Sequence, residues 1–279
     1  MNAIELNGLK KNYGDFTLGP IDLTLPSGAI LGLIGENGAG KTTTIRLILD
    51  VIRRDGGTVR LFGRDNRECF PLGKEDIGVV LDEAGLSECL TAPEVGKIMR
   101  GIYRNWDPEA FSALLRRLEV PENKKIKEYS LGMKRKLSIA VALSHRAKLL
   151  ILDEPTSGLD PVVRDEVVDI FSEFTRDEDH AVLISSHIVS DLEKLCDYIA
   201  FLHRGKLLLC EEKDRLREEY GVLRCSREEL DALPGNAVVG KRVNPYGVEA
   251  IVRREAAPHG AELGAVDIEQ LFVLMAKED

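Results

Sequence analysis

Apolar residues recur along this chain with two different periods, and the switches between them outline its organisation. Ile4 to Leu9 and Phe16 to Leu25 read as strands joined by the polar turn Lys10-Lys11-Asn12-Tyr13-Gly14-Asp15. Ala29 to Ile34 is an apolar run of strand length, and Thr43 to Leu49 then carries apolar residues at helical spacing. Asp55-Gly56-Gly57 marks a turn before two short strands, Thr58 to Leu61 and Ile77 to Leu81.

From Thr91 to Arg146 the period becomes helical. Thr91-Ala92-Pro93-Glu94 combines an N-cap threonine, a first-turn proline and a capping-box glutamate, opening a helix towards Tyr103. Asp107-Pro108-Glu109 opens a second, with Phe111, Leu114, Leu115 and Leu118 as its stripe. A third runs from about Leu131 to Ser144, with Leu137, Ala140, Val141 and Ser144 on one face. Such a run of helices inside a βα chain predicts a subdomain with its own task.

Strands then return. Leu149 to Leu152 is wholly apolar, as in strands covered on both faces. Asp160-Pro161 caps a helix to Arg176 whose predicted inner face is Val163, Val167, Ile170 and Phe174. Strand Ala181 to Ser185, helix Ser190 to Cys196, strand Tyr198 to His203 and strand Lys206 to Cys210 follow. After Glu211 the composition shifts to a charged helix, Glu211 to Tyr220, strands Val222 to Cys225 and Val248 to Arg253, and a closing helix, Val266 to Met275. This predicts a small α+β appendage over residues 211–279, behind a main domain of residues 1–210 whose helical subdomain covers about 84–146.

At 279 residues the chain can bury a full α/β core. Its formal net charge of -9 repels phosphate backbones, so no nucleic-acid partner is expected. The 5 cysteines are scattered and never spaced C-x-x-C, which argues against a disulfide framework or a zinc site and for reduced thiols in the cytosol. The amino terminus lacks the pattern of a signal peptide. The apolar runs are strand-sized, far short of the ~18 residues that span a bilayer. If the protein serves a membrane, another chain crosses it.

The chemistry concentrates in Gly35-Glu36-Asn37-Gly38-Ala39-Gly40-Lys41-Thr42, a phosphate-loop pattern in its required strand-loop-helix context. Its glycines let backbone N–H groups turn inward on phosphate oxygens, and the following helix aims its positive end at the same place. Lys41 supplies a point charge for the outer phosphates, and the Thr42 hydroxyl a ligand for Mg²⁺. Asp153-Glu154-Pro155 ends a buried strand, where paired carboxylates are costly unless something cationic meets them. Pro155 breaks the ladder, so both carboxylates can turn to a shared site at the strand's carboxyl end. Asp153 is read as holding Mg²⁺ through water, and Glu154 as polariser or base for the attacking water. Tyr13 lies in a turn where an aromatic either packs locally or stacks on a purine; His187 ends a strand in a structural or catalytic role.

With these motifs placed, the chain resembles an ATP-binding subunit of the ABC transporter superfamily over about residues 1 to 210. The resemblance implies a P-loop NTPase of ABC type: a mixed central sheet, an antiparallel β subdomain and a helical signature subdomain. It implies ATP and Mg²⁺ as ligands, with Gly35, Glu36, Asn37, Gly38, Ala39, Gly40, Lys41, Thr42 and Thr43 around the phosphates and Tyr13 stacked on adenine. His187 matches the switch histidine that holds the γ-phosphate, and Ser157-Gly158-Leu159-Asp160 the loop that contacts a second subunit. Ser130-Leu131-Gly132-Met133 falls at the signature, which usually reads Leu-Ser-Gly-Gly-Gln. Tyr129, Leu131 and Met133 depart from it, while Ser130 and Gly132, expected at the γ-phosphate of a facing copy, remain. Asp82 stands nearest the glutamine expected after Ile77 to Leu81, and is expected to coordinate Mg²⁺ directly or through water.

Asn105-Trp106-Asp107, Lys124-Lys125-Ile126-Lys127 and the altered signature are similar to a bacterial subgroup of small ATPases. These pair with separate permease subunits in exporters, some linked to antimicrobial or amphipathic peptides. The implied partners are a transmembrane permease on another chain and a second ATPase subunit, as homodimer or heterodimer. The implied location is cytoplasmic, on the inner face of the cell membrane. Two other readings stand beside this one: a soluble ABC ATPase acting on ribosomes or DNA, and a weakly hydrolysing regulatory module.

Overall fold

The structure, a computed structural model, describes residues 1–69, 75–81, 85–235, 237–245, 247–258 and 260–278. Asp82 lies outside the described residues. The chain begins with β1 (Asn2–Asn12), β2 (Thr17–Pro26), β3 (Ile30–Ile34), α1 (Lys41–Ile48), β4 (Gly56–Leu61), β5 (Arg64–Asp65), a short α2 (Asn66–Cys69) and β6 (Ile77–Val80). Three helices follow, α3 (Ala92–Ile102), α4 (Pro108–Arg117) and α5 (Leu131–Leu143). Then come β7 (Leu149–Asp153), α6 (Pro161–Phe174), β8 (Ala181–Ser186), α7 (Val189–Leu195), β9 (Tyr198–His203) and β10 (Lys206–Glu212). The chain ends with α8 (Lys213–Glu219), β11 (Tyr220–Cys225), α9 (Arg227–Asp231), β12 (Val238–Asn244), β13 (Gly247–Arg253) and α10 (Ile268–Glu278).

Six strands form the central sheet in the order β10-β9-β3-β8-β7-β6. All neighbours are parallel except β10, which runs antiparallel to β9. Alternation along each strand divides the core in two. Leu31, Leu33, Leu149, Ile151, Leu183 and Leu202 pack with Ile45 and Ile48 of α1 and with the antiparallel sheet β2-β1-β4-β5. Ile30, Ile34, Leu150, Leu152, Ile184 and Phe201 face the helices. Strands covered on both faces read as continuous apolar runs.

Capping sets the helical layer. Thr91 N donates to Glu94 Oε2 at 2.8 Å, closing the predicted capping box, and Asp107 Oδ1 accepts from Ala110 N at 3.0 Å. Ser130 Oγ accepts from Met133 N at 3.2 Å, and Asp160 Oδ1 from Val163 N at 3.1 Å. Phe111, Leu115 and Leu118 are buried as predicted. The buried face of α6 differs from expectation: Val167, Val168, Ile170 and Phe171 are inside, whereas Val163 and Phe174 are only partly buried. The buried stripe is thus rotated, with Phe171 fully buried at its centre.

After the central sheet, a three-stranded antiparallel sheet has the order β11-β13-β12. Two expectations fail here. The predicted charged helix from Glu211 is shorter, because Glu211 and Glu212 extend the β10 ladder against Ile199 and Tyr198, and Tyr220 already belongs to β11. Strand β12 has no counterpart in the sequence reading, since Gly240 interrupts its apolar pattern. That glycine lets the strand approach α10: a Cβ there would stand 2.5 Å from the backbone of Leu274. Helix α10 also meets the central sheet, with Phe272 and Phe201 at 5.3 Å between centroids.

Candidate nucleotide site at the carboxyl ends of three strands

The phosphate loop joins the end of β3 to α1. Gly38 and Gly40 adopt φ of 82° and 111°, where a side chain is strained, and a Cβ on Gly40 would lie 2.5 Å from Leu18 Cδ1. The loop is held from behind by Gly205 N, which donates to Ala39 O at 2.9 Å. Lys41 is buried at the first turn of α1 and its Nζ donates to Gly35 O at 2.7 Å.

Strands β7 and β8 bring the acidic pair to the same edge. Asp153 is the last residue of β7, beside Ser185 in register, and Ser185 Oγ donates to its Oδ1 at 2.5 Å. Thr42 Oγ1 donates to Asp153 Oδ2 at 2.8 Å across 111 residues of chain. Glu154 leaves the strand with φ of 51°, the left-handed region, and its N–H donates to Ser185 O at 3.1 Å. This turn, rather than Pro155 alone, aims both carboxylates at one place. Glu154 Oε1 lies 3.3 Å from Lys41 Nζ, and Oε2 accepts from His187 Nδ1 at 2.6 Å. The carboxylate therefore bridges a buried ammonium and a half-exposed imidazole. Such partners offset the cost of placing an acid behind a buried strand.

Tyr13, Lys41, Thr42, Thr43, Asp153 and Glu154 line a cavity of about 390 Å³ with the loop glycines. Tyr13 is exposed at its rim. Lys11 Nζ lies 5.5 Å from the ring centroid and 3.0 Å from Asp55 Oδ1, while Asn12 N donates to Asp55 Oδ2 at 2.8 Å. These oxygens and the ammonium suit a magnesium-bound polyphosphate: Thr42 and Asp153 offer hard ligands on one side, and Lys41 a cation on the other. Among the described residues no group of three or more His, Cys, Asp or Glu forms a metal cage. Magnesium at phosphates needs none, since it takes one or two carboxylates, water and the phosphates themselves.

Ser130 and Gly132 are not part of this cavity in the single chain. They open α5, where Leu131 is 58% exposed and Gly132 packs against Gly158 O. Glu36 and Asn37 are exposed on the loop, with Glu36 Oε2 at 4.0 Å from the buried His203 Nδ1. Sequence reading missed Ser185, which could have been flagged as a hydroxyl ending an apolar strand. It also missed Arg135, only 3% exposed, which donates to Glu154 O and to Ser157 O, the latter at 3.0 Å. Its signal was a charge on the buried phase of α5, four residues before Ile139.

A phosphate loop and a strand-end acidic pair around one cavity, with a histidine bonded to the second acid, define a nucleotide-hydrolysing P-loop protein. Residues 18–157 match the family model described as ABC transporter, and the chain belongs to that family. It is 36% identical over 218 residues to the ABC transporter ATP-binding protein YtrB of Bacillus subtilis, covering 78% of this chain and 74% of that one. It is 36% identical over 211 residues to the bacitracin transport ATP-binding protein BcrA of Enterococcus faecalis, covering 74% and 68%. To the lantibiotic transport ATP-binding protein SrtF of Streptococcus pyogenes it is 35% identical over 217 residues, covering 76% and 91%. The solved structure of an ATP-binding subunit of an ABC transporter superposes with a TM-score of 0.71 at 27% identity, over 77% of this chain and 92% of that one. A dimeric ATP-binding cassette bound to ADP and Pi shares the fold, at 21% identity and a TM-score of 0.68 over 75% and 98%. The chain is thus an ATPase subunit that powers a transporter. Among its described residues no helix is long and apolar enough to cross a membrane.

Proposed function

We propose that this chain drives export across the cytoplasmic membrane from its inner face, through a permease on a separate chain, with a peptide or other amphipathic molecule as cargo. The observation that carries the reading is the convergence of Lys41, Glu154 and His187 beside the Thr42–Asp153 pair. The named transport roles of BcrA and SrtF support a peptide cargo. Residues 1–210 form the ATPase unit, residues of about 84–146 its helical subdomain towards the permease, and residues 211–279 an accessory region.

In this reading Tyr13 stacks on adenine, and backbone N–H groups from Gly35 to Thr43 cradle the phosphates. Lys41 and His187, the two groups that Glu154 bridges, hold the terminal phosphate. Thr42 and Asp153 hold Mg²⁺, which when bound supplies positive charge against the phosphate oxygens. Glu154 accepts a proton from water as its oxygen bonds to the γ-phosphorus and the bond to the ADP oxygen breaks. A second such subunit contributes its Ser130 and Gly132 to this site. The γ-phosphate attracts the positive amino end of that signature helix, and hydrolysis removes the attraction.

Glu154→Gln keeps the shape and loses the base. Turnover of ATP by the purified chain should fall by about 10²-fold or more, while binding of a fluorescent ATP analogue persists. Parental turnover in this variant removes Glu154 from the mechanism. Co-purification with a polytopic membrane protein supports the exporter; co-sedimentation with ribosomes would overturn it.

A further inference from the structure

We infer that Arg135 is a positioning residue for Glu154, a strut by which the signature helix of one chain sets the base of that same chain's ATP site. The inference rests on the role of Glu154 proposed above. Arg135 stands in the second turn of α5, the helix that begins at Ser130. Its guanidinium is buried and donates to the carbonyls of Glu154 and of Ser157. Both bonds leave one nitrogen, Nη1, whose two N–H groups reach two acceptors set by a turning backbone.

Glu154 needs such a hold. At φ of 51° it occupies a region that side chains other than glycine enter at a cost, so surrounding contacts must keep it there. Its N–H is fixed by Ser185 O, its carboxylate by Lys41 and His187, and its carbonyl by Ser157 N and by Arg135. Among the described contacts, the last is the one that comes from the helical layer. A second contact joins the same two segments: a Cβ on Gly132 would lie 3.2 Å from Gly158 O and 3.4 Å from Leu159 Cδ2. The start of α5 and the loop 154–159 are therefore packed together at two places. A shift of the signature helix, which faces the other subunit's nucleotide, reaches Glu154 through its backbone.

The test uses the purified full-length chain with magnesium and ATP. Arg135→Ala should lower kcat by about 10- to 100-fold, the scale of a misplaced catalytic group, with KM and fluorescent-ATP affinity within about twofold. Arg135→Lys, which keeps the charge and a single donor nitrogen on a shorter, unbranched stem, should recover part of the loss. Adding Arg135→Ala to Glu154→Gln should cost nothing further, because a strut that acts through a missing base has nothing left to position. Unchanged kcat in Arg135→Ala overturns the inference. So does a multiplicative further loss in the double variant, which marks a general packing role. If Glu154→Gln itself turns over at the parental rate, the reading of Glu154 fails first, and that result is distinct from either. Should Arg135→Ala not yield folded chain, Arg135→Gln and Arg135→Lys carry the same comparison, scored by the kcat-to-KM split.

Discussion

The strand ends around Glu154 and the three-stranded sheet near the carboxyl terminus distribute polar groups in opposite ways. At the first, Lys41, Arg135, Asp153 and Ser185 are all buried, and each has a partner. At the second, Leu223, Val248, Ala250 and Val252 form a small apolar cluster, and among the described residues no buried polar side chain lies beyond His203. The larger cavity is nevertheless at the second, about 1090 Å³ against 390 Å³ at the phosphate loop. Cavity size does not mark the chemistry here. The accepted cost of desolvating charges does, because burial is tolerated only where partners and function return it.

The largest expected effect breaks the contrast at its centre. Lys41→Ala removes the buried cation from Glu154 and from the outer phosphates together. ATP turnover should fall by about 10²- to 10³-fold, the scale seen when a fixed charge-stabilising group is lost. Circular dichroism should stay near that of the parent, since the core strands keep their apolar faces. Retained turnover would show that burial of Lys41 serves packing alone.

A second variant probes the other region. Gly240→Val puts branched carbon against the backbone of Leu274, where even a Cβ would sit at 2.5 Å. Overpacking of this kind costs about 1–3 kcal/mol. The loss should appear as a lower melting temperature and faster proteolysis of residues 220–278, with kcat per folded molecule unchanged. If kcat falls in step, the terminal sheet is coupled to the strand ends and the contrast is not one of function.

His145 sharpens the comparison, being a buried polar group away from both regions. Its ring stacks on Tyr103 at 4.0 Å, and its nitrogens lie 3.2 Å from the carbonyls of Val141 and Ile77. Burial pushes its pKa below the ordinary imidazole value, against the pull of those carbonyls. The unfolded chain then takes up a proton that the folded chain resists. Stability is full above the ordinary value and declines as pH falls through it towards the folded value, by at most about 1.4 kcal/mol per pH unit. Chemical denaturation of His145→Gln between about pH 7 and 5.5 should show a flatter slope than the parent. Equal slopes would assign the acid sensitivity elsewhere.

The same contrast governs what could be read from sequence. The phosphate loop was legible because its requirements are local: glycines where side chains are strained, a lysine, a threonine, a strand before and a helix after. Asp153 and Glu154 were legible as a costly pair, but their meeting with Lys41 and His187 came from the order of β3, β8 and β7, which no short window contains. Arg135 hid inside Lys134-Arg135-Lys136, where only helical phase separates the buried charge from its partly buried neighbours. Strand β12 hid because a strand covered on one face and cut by Gly240 has little period to display. Glu211 and Glu212 looked helical by charge, yet pairing with β9 decided their state, as ladder contacts override local preference.

The smallest expected effect lies at the rim of the cavity. Asp55 accepts from Asn12 N and pairs with Lys11, so it pins the turn that presents Tyr13. The Asn12 N–H, then Lys11, hold its carboxyl below the usual carboxylate range. Its ionised form is thereby favoured, and the pin is lost as pH falls through that lowered value. Asp55→Asn keeps an acceptor but removes the charge, so the lysine is free to leave the ring. Because exposed pairs contribute little, KM for ATP should rise only about two- to fivefold, with kcat unchanged. On a Tyr13→Ala background the substitution should do nothing, since no ring remains to be placed; an equal rise there would mean that Asp55 acts on the nucleotide by its charge and not through the turn.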